Sequence, residues 1–372
     1  MRTALLISNV TTDDPGGRAA DLSTREELLR ENGWEQVIGH VPEPYVKTFL
    51  PSILRCYRRG RRSDADIVVS VSNPFHLQLV GFVVSRLLRV PWVVEFRDPM
   101  VTNPDRDPDA PLTKVAEAVE RLCVTRAERV LWTDGIQVGV SYYRERYPNV
   151  DSETFVELPF KGYERGTFND VEPEEYDDFT VTYAGSFYDG WIEPYAFLEG
   201  LGEYVERDDP GLTAQFYGDW EEEYSTAARE SGVESVVETH DFVPYEEIVP
   251  VLKGSDVALY IGGTDPENSE SVPSKVWDYI GARTPILALV DPDFRVAKII
   301  DRNGLGIVVD PRNSDEISSA LHDLRSGTFM YDPDPELFER FARTTKIEAM
   351  AHAFDNAARK NLTSSDREDP SR

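Results

Sequence analysis

Residues 270–285 have the sequence ESVPSKVWDYIGARTP and lie between two apolar runs, DVALYIG (256–262) and PILALV (285–290). An apolar run, a helical segment and a second apolar run form the pattern of a βαβ unit, in which a helix covers two parallel strands. Pro273 suits a first helical turn because its missing N–H would have no intrahelical partner there. The helix is therefore predicted to start near Val272, and the fold class is α/β.

The same alternation extends along the whole chain. Helical segments separate the apolar runs in both halves, which indicates two α/β domains. The predicted strands are residues 4–8, 66–72, 92–96, 129–133 and 155–158 in the first half, and 179–185, 214–218, 256–262, 285–290 and 306–310 in the second.

The predicted helix after Glu270 has a polar stripe beside its apolar face. Ser271, Lys275 and Asp278 recur at i, i+4 and i+7, so their side chains share one side of the helix. Unpaired N–H groups and a lysine at a helix start attract a diphosphate, and carboxylates accept hydrogen bonds from vicinal hydroxyls. These groups fit a nucleotide-sugar. Because 68 of 372 residues are acidic, a solvated acidic face is the alternative interpretation of Glu270 and Asp278.

The spacing Glu270-x7-Asp278, followed by GARTP (281–285), resembles a known donor-binding signature. It is the signature of family 4 retaining glycosyltransferases of the GT-B fold, in which seven residues separate two glutamates. Further runs resemble the same family, in the same order, across residues 1–360. They are SNVTTDDPGGR (8–18), PWVVEFRDPM (91–100), ELPFKGY (157–163), TYAGSFYDGW (182–191) and HDFVPYEEIVPVLKGSDVALY (240–260).

The resemblance implies a GT-B fold, with two Rossmann-like α/β domains facing a central cleft. Residues 1–165 are expected to form the acceptor domain and residues 166–340 the nucleotide-sugar donor domain. The polar segment 161–178 is the predicted linker. The end of the last helix, about 340–360, is expected to pack back on the first domain, and 361–372 is predicted to be a disordered tail.

For the donor site, the resemblance implies a role for each residue of the opening motif. Glu270 would contact hydroxyls of the donor sugar, and Asp278 the ribose diol. Ser271, Val272 and Lys275 would lie beside the diphosphate.

Gly185 and Ser186 complete the implied donor-binding set, at the glycine turn after the first strand of the second domain. Many relatives carry an arginine and a lysine after this glycine, whereas this chain has SFYD at 186–189. The charge on a leaving diphosphate must then be neutralised by other residues. Lys275 and Arg97 are the nearest candidates by motif position, and Lys161 is a third.

Arg97 and Asp98 follow the predicted strand 92–96, at the position where open α/β sheets place ligand-binding groups. Together with Glu270 they form the candidate catalytic set: Arg97 to bind phosphate, and Asp98 to orient the acceptor hydroxyl. An ion pair within the domain, or a turn cap, is the alternative.

Gly16, Gly17 and His76 are the candidate acceptor-loop residues. The glycines permit close backbone approach, although a plain turn explains PGG equally. His76 begins a predicted helix, and its alternative role is capping or packing. With five histidines and none at metal-ligand spacing, we predict neither a metal nor a cofactor. The nucleoside diphosphate sugar is the substrate.

The overall charge and cysteine content limit the class of protein. The net charge of −29, with only eight lysines, is typical of a halophilic surface and disfavours a nucleic-acid partner. The two cysteines, Cys56 and Cys123, indicate no disulfide framework and fit a reducing cytoplasm. No window approaches a membrane span or a signal peptide. A cytoplasmic protein is expected.

Residues 44–63 contain no acid and form the exception to this surface. The predicted amphipathic helix there indicates contact with an anionic membrane or with a lipid-phosphate acceptor. The alternative is that its apolar stripe packs on the sheet while the arginines are solvated. Its basic residues are Lys47, Arg55, Arg58, Arg59, Arg61 and Arg62, and its apolar residues are Phe49, Leu50, Ile53, Leu54 and Tyr57.

The predicted function is transfer of a sugar, with retained configuration, to a glycan or lipid-linked acceptor in the assembly of cell-surface glycans, glycoproteins or glycolipids. A nucleotide-sugar 2-epimerase of the same fold and a non-catalytic nucleotide-sugar binding protein stay open. The absence of G-x-G-x-x-G after the first strand argues against a nicotinamide-dependent dehydrogenase.

Overall fold

The computed structural model describes residues 1–12, 14, 17–72, 74–97, 100–101, 110–133, 140–159, 161–207 and 211–365. The chain divides into two compact α/β units. The N-terminal unit comprises Met1–Phe160 with Thr344–Arg372, and the C-terminal unit comprises Lys161–Arg343.

The N-terminal unit contains a six-stranded parallel sheet with the strand order β2-β1-β3-β4-β5-β6. Its strands are β1 (Arg2–Ser8), β2 (Trp34–His40), β3 (Ile67–Val71), β4 (Trp92–Phe96), β5 (Arg129–Thr133) and β6 (Phe155–Leu158). Its helices are α1 (Gly17–Glu31), α2 (Tyr45–Arg62), α3 (His76–Leu88), α4 (Pro111–Arg126), α5 (Val140–Arg146) and a 3-10 turn at Ser152–Thr154.

Helices cover both faces of this sheet, because alternate strand residues point to opposite sides. Leu5 and Ile7 of β1 pack into one core with side chains of α2, α3 and α4. Ala4 and Leu6 pack into the other core, which includes Phe354 from the last helix of the chain. That helix thus packs in the N-terminal unit.

The C-terminal unit contains a second parallel sheet with the order β12-β11-β10-β7-β8-β9. Its strands are β7 (Phe179–Ala184), β8 (Leu212–Tyr217), β9 (Val237–His240), β10 (Val257–Gly263), β11 (Ile286–Val290) and β12 (Gly306–Val309). The helices are α6 (Arg165–Phe168), α7 (Tyr195–Arg207), α8 (Glu222–Glu230), α9 (Tyr245–Gly254), α10 (Ser274–Ala282), α11 (Arg295–Arg302), α12 (Ser314–Ser326) and α13 (Pro335–Arg340), with a 3-10 turn at Pro266–Asn268. The last helix of the chain, α14 (Arg343–Ser365), belongs to the N-terminal unit from Thr344 onward.

All ten predicted strands are present, and two strands were not predicted. Both missed strands, β2 and β9, lie at a sheet edge. Glu35 in β2, and Glu238 and Thr239 in β9, are exposed. An edge strand is exposed to solvent on one side and carries polar residues there, so it lacks the continuous apolar run that identifies a buried strand.

The end of the chain differs from the single helix that its periodicity predicts. Helices α13 and α14 are separated at Phe341 and Ala342, where the backbone of Tyr163 inserts. The Tyr163 N–H donates to the Phe341 carbonyl (3.1 Å), and the Arg343 N–H donates to the Tyr163 carbonyl (2.9 Å). Helix α14 continues to Ser365, through the first residues of the predicted tail, and 366–372 lie outside the described residues.

Candidate functional site

A cavity of about 300 Å³ opens in the C-terminal unit, where β7 and β8 end and where α9 and α10 begin. The chain reverses its direction across the sheet between β7 and β10, and such switch points form ligand crevices in open α/β sheets. The lining residues are Ala184, Gly185, Tyr217, Phe242, Val243, Tyr245, Ile248, Leu252, Ser274, Lys275, Asp278 and Tyr279.

Lys275 supplies a positive charge to this cavity from the first turn of α10. Its Nζ donates to the Tyr183 hydroxyl (3.0 Å) and lies 4.2 Å from the centre of the Tyr183 ring. Burial lowers the pKa of Lys275 to about 8, and no carboxylate among the described residues contributes to this shift. A cation held by an aromatic ring and a hydroxyl, rather than by an acid, is suited to an anionic ligand.

Asp278 lies one turn further along the same side of α10, as the i, i+4, i+7 stripe predicted. The Tyr245 hydroxyl, at the start of α9, donates to Asp278 Oδ1 (2.6 Å). Burial raises the pKa of Asp278 to about 6, against the opposing effects of the Tyr245 hydrogen bond and the positive charge of Lys161. The site thus pairs a half-buried acid with a half-buried amine.

The glycine turn after β7 is shaped by close approach to Lys275. Gly185 has a φ of +139°, and a Cβ built at this position would lie 2.6 Å from Lys275 Nζ. The next residue, Ser186, accepts a hydrogen bond at its carbonyl from the Tyr183 hydroxyl (2.7 Å). Phe187, in the SFYD segment after Gly185, is buried and stacks on Tyr183 at 4.7 Å.

The start of α10 differs slightly from the sequence prediction. The helix begins at Ser274, not near Val272, because Pro273 is extended (φ −64°, ψ 155°) and serves as the N-cap. Val272 is buried, and the Ser271 N–H donates to the Asn268 carbonyl (3.0 Å). The Val276 N–H donates to the Pro273 carbonyl (3.2 Å), whereas the N–H groups of Ser274 and Lys275, in the first turn, have no intrahelical acceptor and receive no side-chain cap from Pro273.

Glu270 lies in the loop before α10 and does not line the cavity that contains Lys275 and Asp278. Its Oε2 accepts from Arg295 Nη1 of α11 (3.4 Å), and its side chain is half exposed. The structure therefore brings Lys275, Asp278 and Gly185 to one cavity and places Glu270 on the adjoining loop.

Arg97, in the N-terminal unit, takes part in ion pairs. It contacts Glu95 (3.1 Å) and Asp21 (3.0 Å), and Glu95 also contacts the buried Arg25 (2.5 Å). Burial alone would raise the pKa of Glu95, but the charges of Arg25, Arg97 and Lys346 outweigh it and hold that pKa well below its usual range. These contacts match the ion-pair alternative for Arg97.

The remaining acceptor-side residues occupy separate positions. Asp98 and Gly16 lie outside the described residues, and Gly17 is the first residue of α1. His76 is stacked between Phe75 (4.4 Å) and Tyr45 (4.9 Å), and burial lowers its pKa. Its aromatic contacts match the packing alternative.

The five arginines proposed for a membrane surface all lie on α2 and are exposed. The described part of the chain contains no helix long and apolar enough to cross a membrane. It also contains no cluster of three or more histidine, cysteine, aspartate or glutamate residues able to hold a metal ion.

Several aromatic residues in or beside the cavity were missed by the sequence analysis. Tyr245 and Tyr183 hold Asp278 and Lys275, Phe242 is exposed and lines the cavity, and Tyr217 stacks on His240 at 4.3 Å. The available signal was the position of these aromatic residues: Tyr183 and Tyr217 lie near the ends of predicted strands, and Phe242 and Tyr245 lie in a run that resembles the family.

Comparison with known proteins supports the fold. No protein-family model and no curated protein sequence matches the chain. The solved structure of the lipopolysaccharide outer core galactosyltransferase WaaB is similar, with a TM-score of 0.63 and 14% identity over 96% of this chain and 99% of that chain. The structure of HepE from Anabaena in complex with UDP-glucose is also similar, with a TM-score of 0.56 and 15% identity over 99% of this chain and 100% of that chain. The structure of UDP-GlcNAc 2-epimerase from Methanocaldococcus jannaschii has a TM-score of 0.57 and 12% identity over 96% of this chain and 100% of that chain.

These similarities extend over nearly the whole length of each protein, and they agree with the two six-stranded parallel sheets. The chain has the GT-B fold, built from two Rossmann-like α/β domains.

Proposed function

We propose that the protein is a glycosyltransferase that takes its sugar from a nucleoside diphosphate sugar. The observation that carries this proposal is the cavity at the start of α10. There Lys275 has no carboxylate partner among the described contacts, and Asp278 provides an acceptor for hydroxyl groups.

The diphosphate is assigned to the Lys275 side of the cavity. The ammonium group of Lys275 and the first two N–H groups of α10, those of Ser274 and Lys275, offer positive charge and donors at one place. The N-terminus of α9 adds a second helix dipole of the same sense. Gly185 leaves room beside Lys275 Nζ that a side chain would fill.

The nucleoside is assigned to the Asp278 side. The Asp278 carboxylate accepts hydrogen bonds from the ribose diol, and Tyr245 holds this carboxylate in place. The exposed ring of Phe242 offers an apolar surface for the base. Glu270, on the adjoining loop, is assigned to the hydroxyls of the donor sugar.

The proposed reaction is transfer with retained configuration and without a metal. The bond from the anomeric carbon to the diphosphate oxygen breaks, and the bond to the acceptor oxygen forms on the same face. The acceptor proton passes to the departing diphosphate oxygen. Lys275 stabilises the negative charge that develops on the leaving group, and the protein orients the two substrates.

WaaB is described as a lipopolysaccharide outer core galactosyltransferase, and HepE was solved in complex with UDP-glucose. We extend the proposal to a hexose donor and to a glycan or lipid-linked acceptor. Such a reaction belongs on the cytoplasmic face of a membrane, in the assembly of cell-surface glycans, glycoproteins or glycolipids.

A donor screen tests the proposal. The protein is titrated with UDP-, GDP-, ADP- and dTDP-hexoses, and binding and release of free nucleoside diphosphate are measured. At least one donor is expected to bind and to be turned over. Glu270→Ala is expected to lower turnover by about 100-fold or more while nucleoside diphosphate binding is kept.

Glu234→Ala is the matched control, because Glu234 is also an exposed glutamate of the C-terminal unit, paired with Arg229 at 3.2 Å. The turnover of this control variant should stay within about twofold of that of the unchanged protein. Equal turnover by the Glu270 and Glu234 variants would remove Glu270 from the site. Failure of every donor to bind would end the proposal.

Two alternatives have their own support. The SFYD segment at 186–189, which lacks the arginine and lysine that the family resemblance leads us to expect after Gly185, favours a non-catalytic nucleotide-sugar binding protein. The fold shared with the 2-epimerase from Methanocaldococcus jannaschii favours epimerisation. Binding without diphosphate release indicates the first alternative. Incorporation of deuterium from D₂O at C2 of the sugar, in a product that is still a nucleoside diphosphate sugar, indicates the second alternative.

A further inference from the structure

Helix α2 presents two different apolar faces. Ser52, Cys56 and Gly60 are buried, and Phe49 and Ile53 pack beside them on the core of the N-terminal unit. This set anchors the helix on the sheet.

A second apolar row lies on the solvent side of the same helix. Val46, Leu50 and Leu54 are 87%, 74% and 47% exposed, and they follow one another at intervals of four residues. Residues four apart lie about 6 Å apart along a helix axis, so the row is about 12 Å long. The predicted apolar stripe is thus divided: Phe49 and Ile53 pack, whereas Leu50 and Leu54 do not.

The same i, i+4 row continues through Arg58 and Arg62. Its aliphatic side chains are therefore followed by two basic side chains. Lys47, Arg55, Arg59 and Arg61 are exposed on the same helix, and residues 44–63 contain no acid. In a protein with a net charge of −29, this surface is a local reversal of sign. An aliphatic row that ends in arginines matches the boundary between lipid tails and anionic headgroups.

A small cavity beside the helix adds a second basic feature. It has a volume of about 220 Å³, lies between β2 and α2, and includes Arg55, Arg59 and His40 in its lining. Two arginines and a histidine around one opening can donate hydrogen bonds to a single phosphate headgroup.

We propose that α2 binds the surface of an anionic phospholipid bilayer. Val46, Leu50 and Leu54 insert at the level of the upper acyl chains, and Arg58 and Arg62 contact headgroup phosphates. This goes beyond the proposed glycosyltransferase reaction, because it concerns a surface of the N-terminal unit and needs no donor.

The two parts of the row respond differently to salt. At about 0.1 M salt the Debye length is about 10 Å, so the arginines attract anionic lipid strongly, whereas at about 1 M it falls to about 3 Å. The contribution of the aliphatic side chains persists at high salt, because salt screening acts on charges.

The test is co-sedimentation of the full chain with vesicles of equal parts phosphatidylglycerol and phosphatidylcholine, and with phosphatidylcholine alone. The protein is expected to bind the mixed vesicles. Leu50→Ser with Leu54→Ser should lower binding about tenfold or more at both salt concentrations. Arg58→Ser with Arg62→Ser should lower it about 30-fold at low salt, and much less at high salt.

Matched controls come from the C-terminal unit. Met330 is 79% exposed, so Met330→Ser removes an exposed apolar side chain elsewhere. Arg229→Ser with Arg302→Ser makes the same change in net charge as the α2 arginine pair. Both controls should bind vesicles like the unchanged protein, and circular dichroism should show that every variant is folded.

Three results would overturn the proposal. The first is no binding of the unchanged protein to mixed vesicles. The second is equal vesicle binding by the leucine variant, which would show that the aliphatic row does not insert into the bilayer. The third is a dimer in size-exclusion chromatography that only the leucine variant abolishes, without vesicle binding, which would assign the face to a second copy. A negative vesicle result leaves the donor assay unaffected.

Discussion

The Tyr245 hydroxyl donates a hydrogen bond to Asp278 over 2.6 Å, although 33 residues separate them in the chain. One side chain comes from the start of α9 and the other from the middle of α10. The contact holds an ionisable carboxylate at the wall of the cavity, and it makes the binding properties of that carboxylate depend on a neutral neighbour.

Tyr245→Phe should raise the pKa of Asp278 further, because the hydrogen bond from Tyr245 lowers it at present. We expect the acid side of the donor-binding pH profile to move to higher pH, and the free energy of unfolding to fall by about 1 kcal/mol. Calorimetric titration with a nucleoside diphosphate sugar over a pH series measures the first effect. Tyr195→Phe, at an exposed tyrosine on α7, is the control. If the acid side of the profile does not move, the hydrogen bond does not control the pKa of Asp278 that matters for donor binding.

Donor binding should have a bell-shaped pH profile. As the pH falls through about 6, Asp278 takes up a proton and loses its capacity to accept two hydroxyl hydrogen bonds. As the pH rises through about 8, Lys275 loses its charge. Binding is therefore expected to be strongest between these values.

An intact nucleoside diphosphate sugar is the right probe for this profile, because its diphosphate is esterified at both ends and does not titrate in the same range. Asp278→Asn should remove the acid limb, and Lys275→Gln the alkaline limb. A profile whose limbs survive in both variants would assign them to other groups.

Gly185→Ala should weaken donor binding and destabilise the fold. An alanine there would adopt a φ of +139° and would bring its Cβ within 2.6 Å of Lys275 Nζ, displacing the ammonium group. The backbone cost is about 1–3 kcal/mol. Gly190→Ala separates the two effects, because Gly190 has a φ of +71° with nothing within 4 Å of an added Cβ. If both variants bind donor equally, the close approach to Lys275 has no functional role.

Glu95→Gln should lower the free energy of unfolding by about 3–5 kcal/mol, because it leaves the guanidinium of Arg25 buried without a counter-charge. Arg25 and Glu95 are 2% and 0% exposed, so solvent offers little compensation. Urea denaturation provides the measurement. Glu117→Gln, in the exposed pair with Arg146, should cost less than about 1 kcal/mol. Equal losses in the two variants would contradict this account.

Potassium chloride should raise the melting temperature. The net charge of −29 repels itself within the folded state, and salt at about 1 M screens that repulsion. Thermal unfolding in increasing salt, compared with sorbitol at equal osmolality, checks the effect. A melting temperature that falls with salt, or that responds equally to sorbitol, would oppose the halophilic interpretation.

Local patterns determined much of the fold. Buried parallel strands are continuous apolar runs, so ten strands could be recognised without coordinates. Likewise, Lys275 and Asp278 share a side of α10 because helical spacing alone places them there. What this logic missed were β2 and β9, since an edge strand carries polar residues on its solvated side.

Tertiary structure decided which side chains meet. No spacing rule links Tyr245 to Asp278 or Arg295 to Glu270, because these contacts depend on how separate helices and loops are arranged on one sheet. On α2, Phe49 and Leu50 are neighbours of similar hydrophobicity, yet only Phe49 packs on the core. Periodicity shows that a helix has an apolar side, but only the packed sheet beneath it determines how much of that side remains exposed to solvent.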